Sequence, residues 1–147
     1  MSDSGFDMGL EDVAQAGVYG VAHGDLGGLA AAARDAGLKV LRVDLESCTD
    51  KRTLLLRIGT QLDFPAGRGR NWDALSDALR DLSWLPARGY ALLFGDAGDL
   101  RDASPADFDT LLDVLSEAAA SWAADKVPFW AFFELPHGGE AAATDDL

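Results

Sequence analysis

Cysteine and histidine are the scarcest chemically reactive residues in this sequence. Cys48 is the single cysteine, and His23 and His137 are the two histidines, among 147 residues. A lone thiol cannot form an internal disulfide, and this usage is typical of a reducing compartment. We therefore expect a cytoplasmic protein that is stabilised by its hydrophobic core.

Long hydrophobic runs are also absent. No apolar stretch approaches the roughly 20 residues that a membrane-spanning helix requires. The segment Met1–Leu10 has no basic region followed by an apolar one, so we expect no secretory signal. These patterns predict neither a membrane segment nor export.

Positive charge is in short supply. Twelve Lys and Arg face 25 Asp and Glu, which gives a formal net charge of −13 and a pI near 4.2. Nucleic acids and anionic membranes attract proteins chiefly through Lys and Arg, so neither is an expected partner. The charge favours a basic protein partner, although solubility alone would also explain it. The positions of the acidic residues must decide between these two interpretations.

Apolar residues are plentiful enough for a folded protein. They make up 48% of the chain and charged residues 25%, which is ordinary globular composition. The length predicts one domain with one core, which we place at residues 17–136. Residues 1–16 and 137–147 are polar and rich in small side chains, so we expect flexible tails there.

Hydrophobic periodicity, capping residues and turn residues together predict eight elements. In order they are strand Val18–Ala22, helix 26–36, strand 38–45, a helix from Thr49 or Asp50 to Leu62, helix 72–82 with Asn71 as its N-cap, strand Tyr90–Phe94, a long helix from Ser104 and Pro105, and strand Val127–Leu135. Residues 96–103 are predicted to be a loop or short turn. The alternation predicts an α/β fold of two or three layers, with a mostly parallel sheet of three to four strands flanked by helices.

An acidic stripe stands out on the predicted helix after Asn71. Asp73, Asp77 and Asp81 are spaced four residues apart and project from one side of that helix. Like charges at this spacing repel by a few tenths of a kcal/mol, and the helix dipole compensates only the first turn. Glu117 occupies the polar face of the later long helix. These carboxylates form either a solvated surface or a surface that meets cations of a partner.

The segment 64–79, FPAGRGRNWDALSDAL, resembles the signature of the barstar family of ribonuclease inhibitors. In that family a proline and a Gly-x-Asn lead into an Asp-Ala-Leu-x-Asp helix. The order of the surrounding elements is similar as well, so the resemblance covers about residues 38–135. It implies a barstar-like core over 38–136, and residues 17–37 would add a strand and a helix at one edge of the sheet.

The resemblance also implies a function. Barstar-like proteins inhibit small basic ribonucleases by filling the phosphate-binding cleft with carboxylates of this helix and the loop before it. By position, Asp73, Asp77 and Glu117 match the acidic contacts of the family. The other implied partner-binding residues lie in the same segment and are Gly69, Arg70, Asn71, Trp72 and Ser76. The implied protein is a monomer without catalytic residues, cofactor or metal.

The sequence departs from the family pattern at several contact positions. Gly67 and Arg68 stand where the family has tyrosines, and Ser76 stands where a tryptophan can occur. Arg68 and Arg70 place positive charge beside the acidic stripe. Aromatic anchors often carry much of the energy of an interface, so these changes favour a toxin nuclease different from barnase, or weaker binding.

An enzyme and a non-catalytic acidic module are the two alternatives to an inhibitor. An enzyme would need a nucleophile with a base, but Cys48, His23 and His137 form no recognisable catalytic motif. Asp73 and Asp77 alone do not make a cation cage. A non-catalytic acidic module that regulates a different basic partner shares every charge feature with the inhibitor, and only the identity of the partner separates the two.

Overall fold

The protein is described by a computed structural model over residues 9–136. Within this range, five helices pack around one sheet of four parallel strands in the order β1-β4-β3-β2. The strands are β1 (Val18–Ala22), β2 (Lys39–Asp44), β3 (Tyr90–Gly95) and β4 (Phe129–Leu135). The helices are α1 (Leu26–Asp35), α2 (Lys51–Gln61), α3 (Trp72–Asp81), α4 (Gly98–Ala103) and α5 (Pro105–Ala124). No helix in the described range is both long and apolar enough to cross a bilayer.

The two central strands supply both hydrophobic cores. Successive side chains of a strand point to opposite faces of the sheet. On β3, Leu92 and Phe94 therefore pack in the larger core under α2, α3, α4 and α5, whereas Leu93 packs in the smaller core under α1. On β4, Phe133 and Trp130 are divided in the same way. The α/β prediction is confirmed, and the architecture has three layers, since helices cover both faces of the sheet.

The first strand-helix unit extends the sheet at one edge. β1 has the predicted bounds and pairs in parallel with β4, with Val18 beside Ala131. α1 then crosses the sheet and places Leu29 and Ala33 in the smaller core. β2 forms the opposite edge beside β3.

Within the segment 1–16, for which a flexible tail is predicted, residues 9–16 contact the smaller core. Leu10 is 3% exposed and belongs to the smaller core, where the indole Nε1 of Trp130 donates a hydrogen bond of 2.8 Å to its carbonyl oxygen. The polar composition of this segment gave no indication that Leu10 is buried against the sheet. Residues 1–8 and the second predicted tail, 137–147, lie outside the described residues.

The segment before α5 also differs from its prediction. Residues predicted as a loop or short turn contain α4, which buries Leu100 in the larger core. Ser104 precedes Pro105 as expected, but its hydroxyl does not cap α5. It donates instead to the carbonyl oxygen of Thr49 at 2.7 Å, which ties the start of α5 to the approach to α2.

Candidate functional site

Asn71 fixes the start of α3. Its backbone is extended, and its side-chain oxygen accepts a hydrogen bond of 2.8 Å from the backbone N–H of Ala74. A cap of this kind satisfies one of the free N–H groups of the first turn and contributes about 1 kcal/mol. The structure therefore gives Asn71, one of the implied partner-binding residues, a role in positioning α3.

The turn before α3 requires glycine at position 69. Gly69 has a φ of +76°, a left-handed conformation that strains other residues. A Cβ atom there would overlap two ring carbons of Phe64. Gly69 is buried, so among the implied partner-binding residues it shapes the turn rather than presenting a side chain.

The apolar side of α3 orients its polar side. Leu75, Ala78 and Leu79 are fully buried, and Trp72 is half-buried against the larger core. The indole Nε1 of Trp122 on α5 donates a hydrogen bond of 2.8 Å to the carbonyl oxygen of Leu79. These contacts hold α3 against α5 and leave the opposite side of α3 in solvent.

Three of the carboxylates implied by the resemblance are exposed on these neighbouring helices. Asp73 and Asp77 lie on α3, and Glu117 lies on α5. We call these three residues the acidic face. The sequence of α5 contains no Lys or Arg, so no cation of that helix offsets Glu117.

The aspartates of α3 differ in their internal partners. Asp77 accepts a hydrogen bond of 2.8 Å from Arg80, in an exposed pair spaced three residues apart. Asp81 lies 3.4 Å from Arg68 and also accepts from Ser83. Within residues 9–136, Asp73 forms neither an ion pair nor a hydrogen bond through its side chain. Asp73 is therefore available to an external cation, while Asp77 is shared with Arg80.

Arg68 contacts two residues that lie far from it in the sequence. Its guanidinium carbon lies 5.1 Å from the centre of the Trp84 ring, while one of its nitrogens reaches Asp81. The two contacts bridge the turn to the C-terminal end of α3. Thirteen residues separate Arg68 from Asp81, so helical spacing gave no signal of this contact.

The remaining implied residues border the acidic face. Arg70 is exposed immediately before the Asn71 cap. Ser76 is half-buried, and its carbonyl oxygen accepts a hydrogen bond of 3.3 Å from Nε of Arg80. The segment thus presents cationic and anionic groups side by side.

Cys48 has the properties of an unreactive thiol. Its side chain is fully buried in the larger core. Burial raises the pKa of the Cys48 thiol above its ordinary value, and this effect exceeds the opposing influence of Arg57. A protonated, inaccessible sulfur is a poor nucleophile.

Acidic groups also gather at the C-terminal ends of the strands. Ligand atoms of His23, Asp96 and Glu134 lie within 4.8 Å of one another. The Glu134 carboxylate accepts hydrogen bonds from the backbone N–H groups of Gly24 at 2.7 Å and Asp96 at 3.1 Å. Glu134 therefore has a structural role, because it holds the turns that follow β1 and β3.

Taken together, the fold and this surface define a class: a three-layer α/β protein whose capped helix presents exposed carboxylates after a Gly-x-Asn turn. The profile of the family described as Barstar (barnase inhibitor) matches residues 38–134, which is more than half of the chain. The chain therefore belongs to the barstar family. No curated protein matches it. The family match includes β2, α3 and α5 and begins after β1 and α1, which lie outside it.

Proposed function

We propose that this protein inhibits a small basic ribonuclease by placing its acidic face over the active site of the enzyme. The family to which it belongs consists of inhibitors of barnase-type ribonucleases. The observation that carries the proposal is the exposure of Asp73 and Asp77 on a rigidly seated helix, with Asp73 unpaired among residues 9–136. A reducing cytoplasm is the compartment that suits its single thiol.

The chemistry of such a cleft matches carboxylates. A ribonuclease binds the phosphate of RNA through Arg and Lys, and a carboxylate offers the same donors charge-assisted hydrogen bonds. Because α3 is capped at Asn71 and packed against α5, the backbone that carries its carboxylates does not have to be ordered when the partner binds. Preorganisation of this kind reduces the entropic cost of association.

The target differs from barnase in this proposal. Gly67 and Ser76 offer no aromatic anchor, and Arg68 is engaged with Trp84 and Asp81. Affinity then depends more heavily on the carboxylates than on aromatic packing. Such a complex weakens as salt rises, since exposed charges are screened over about 8–10 Å at physiological ionic strength.

The direct test measures inhibition of RNA cleavage by a panel of purified small basic ribonucleases, barnase among them. For an enzyme that is inhibited, we expect Asp77→Ala to weaken inhibition by about tenfold or more, the loss of roughly 1.4 kcal/mol. Asp113→Ala is the matched control, because Asp113 is an exposed aspartate on α5 outside the acidic face. If both substitutions left inhibition unchanged, α3 would be excluded as the binding surface.

The ion pair on α3 supplies a second test with the opposite sign. Arg80 forms an ion pair with Asp77, and its positive charge would repel the Arg and Lys side chains of a basic ribonuclease. Arg80→Ala should therefore tighten inhibition by about twofold, because such pairs contribute a few tenths of a kcal/mol.

Binding of a basic ribonuclease without loss of its activity would instead support an acidic interaction module.

A further inference from the structure

A groove runs between α2 and the turn formed by residues 63–70. Its volume is about 780 Å³. Four cations line it, namely Lys51, Arg52, Arg68 and Arg70, with Asp63 as the single acidic lining residue. The whole sequence contains only 12 Lys and Arg. One third of the positive charge of an acidic protein therefore converges on this groove, which we call the basic groove.

Most cations of the basic groove form no ion pair with another residue in the range 9–136. Arg68 is held by Asp81 and Trp84. By contrast, Lys51, Arg52 and Arg70 form no ion pair with any residue in the range 9–136, and all three are exposed. Their positions thus serve no internal salt bridge in this part of the chain.

The groove also has an apolar surface. Leu56 is 68% exposed, although it lies on an amphipathic helix whose other leucines are buried. Leu55, Phe64 and Pro65 line the same space. A Cβ atom at Gly67 would meet nothing within 4 Å, so the turn leaves the groove open at that position.

We propose that the basic groove binds an extended acidic peptide segment of another protein. One aliphatic or aromatic side chain of that segment would sit against Leu56, and its carboxylates would meet Lys51, Arg52 and Arg70. Charge complementarity carries the choice of occupant, because clustered and unpaired cations beside an exposed leucine match a segment that mixes acidic and apolar side chains.

Single-stranded RNA fits the groove less well. Proteins bind it by stacking bases on exposed aromatic faces within a positive field. Phe64, the aromatic residue lining the groove, is half-buried and packs edge-on against Trp84. The net charge of −13 also repels a polyanion at long range, whereas a short peptide carries few charges.

The proposal goes beyond ribonuclease inhibition, and the basic groove shares Gly69 and Arg70 with the partner-binding segment that the family resemblance implies. Arg70 directly precedes Asn71, so the basic groove adjoins the start of α3, the helix that carries Asp73 and Asp77. The basic groove and the acidic face have opposite charge, and their occupants must have opposite charge as well. Loss of binding in the groove can therefore be measured without any ribonuclease.

The experiment uses fluorescence polarisation with three labelled probes and the full chain. The probes are a short peptide alternating Glu with Leu and Phe, the same peptide with Lys in place of Glu, and a single-stranded oligouridylate of similar length. We expect the acidic peptide to bind through the cations of the groove, whereas any binding of the basic peptide, which the acidic face attracts, should not weaken when those cations are replaced. Tighter binding of the oligouridylate, or no binding of the acidic peptide, would overturn the proposal.

Two variants with a matched control locate the binding site. Lys51→Glu with Arg52→Glu should weaken binding of the acidic peptide by about tenfold or more, and Leu56→Asp should weaken it by a similar factor. Arg34→Glu with Lys39→Glu makes the same charge change at exposed positions of α1 and β2 outside the groove, and should change binding less than about twofold. An equal loss in the control would show attraction to overall charge and contradict a groove site. All substituted side chains are exposed, and circular dichroism checks that each variant is folded.

Discussion

α2 and α3 follow one another in the chain and lie on the same side of the sheet, yet they carry opposite charge. α2 contains Lys51, Arg52 and Arg57 and no acidic residue, while α3 contains three aspartates and one arginine. Each begins with a side-chain cap, from Asp50 and Asn71 respectively. A net charge of −13 therefore conceals a cationic surface beside an acidic one.

Core packing should produce the largest difference between the two helices. Leu75 on α3 is fully buried, so Leu75→Ala should lower the free energy of unfolding by about 2–5 kcal/mol. Leu56 on α2 is exposed, and Leu56→Ala should change stability by no more than about 0.5 kcal/mol. Urea denaturation of both variants measures the contrast. Similar losses would mean that Leu56 is packed rather than open to a ligand.

The turn between the two helices should be sensitive at one glycine and less so at its neighbour. Gly69→Ala combines a left-handed backbone with a clash on Phe64, so we expect a loss of about 2–3 kcal/mol. Gly67 has a similar φ of +83°, but a Cβ atom there meets open space, so Gly67→Ala should lower the free energy of unfolding by about 1 kcal/mol. Equal losses, measured as shifts in the urea midpoint, would contradict the contact with Phe64.

The cap of α3 should contribute a smaller amount. Asn71→Ala removes the acceptor for the Ala74 N–H and should cost about 1 kcal/mol. Asn71→Asp keeps an acceptor and should cost only a few tenths. Thermal unfolding of the two variants tests the cap. Asn71→Ala should be clearly destabilised, whereas Asn71→Asp should not; equal destabilisation would indicate a change in packing.

Acid should distinguish the two caps by a still smaller effect. A hydrogen bond from the backbone N–H of Thr53 lowers the pKa of Asp50 below its ordinary value of 3.8. The ionised cap therefore stabilises the fold above the ordinary pKa, and this contribution is lost as the pH falls through the lowered pKa. Asn71 does not titrate, so α3 has no such dependence at its cap.

The measurement is the free energy of unfolding between about pH 5 and pH 2, compared for the native chain and Asp50→Asn. Asparagine also caps helices but carries no titrating proton, so the variant should lose less stability on acidification. Parallel curves for the two proteins would show that Asp50 is not capping α2.

Local features of this fold could be predicted from the sequence. The start of α3 at Trp72 follows from Asn71 and from the spacing of Leu75 and Leu79, all of which lie within one helix. The strand Val18–Ala22 and the parallel arrangement were predicted for the same reason, since alternation and crossover lengths are properties of short segments.

Most of the features that the sequence did not predict depend on contacts between distant segments. Burial of Leu10 requires Trp130, and the hydroxyl of Ser104 is diverted from its cap by Thr49. The basic groove joins Lys51 and Arg52 to Arg70, which helical spacing cannot relate. α4 was missed because six residues with one buried leucine show too little periodicity to be recognised.

The central position of β4 has a consequence for synthesis of the chain. β1 pairs with β4, and the bond between Trp130 and Leu10 joins residues that are 120 positions apart. The paired residues Val18 and Ala131 are 131 − 18 = 113 positions apart, so at roughly 5–20 residues per second β1 is synthesised about 6–23 s before its pairing partner. During that interval the N–H and C=O groups of β1 have no ladder partner, so we expect the first strand to join the sheet only after the last strand has been made.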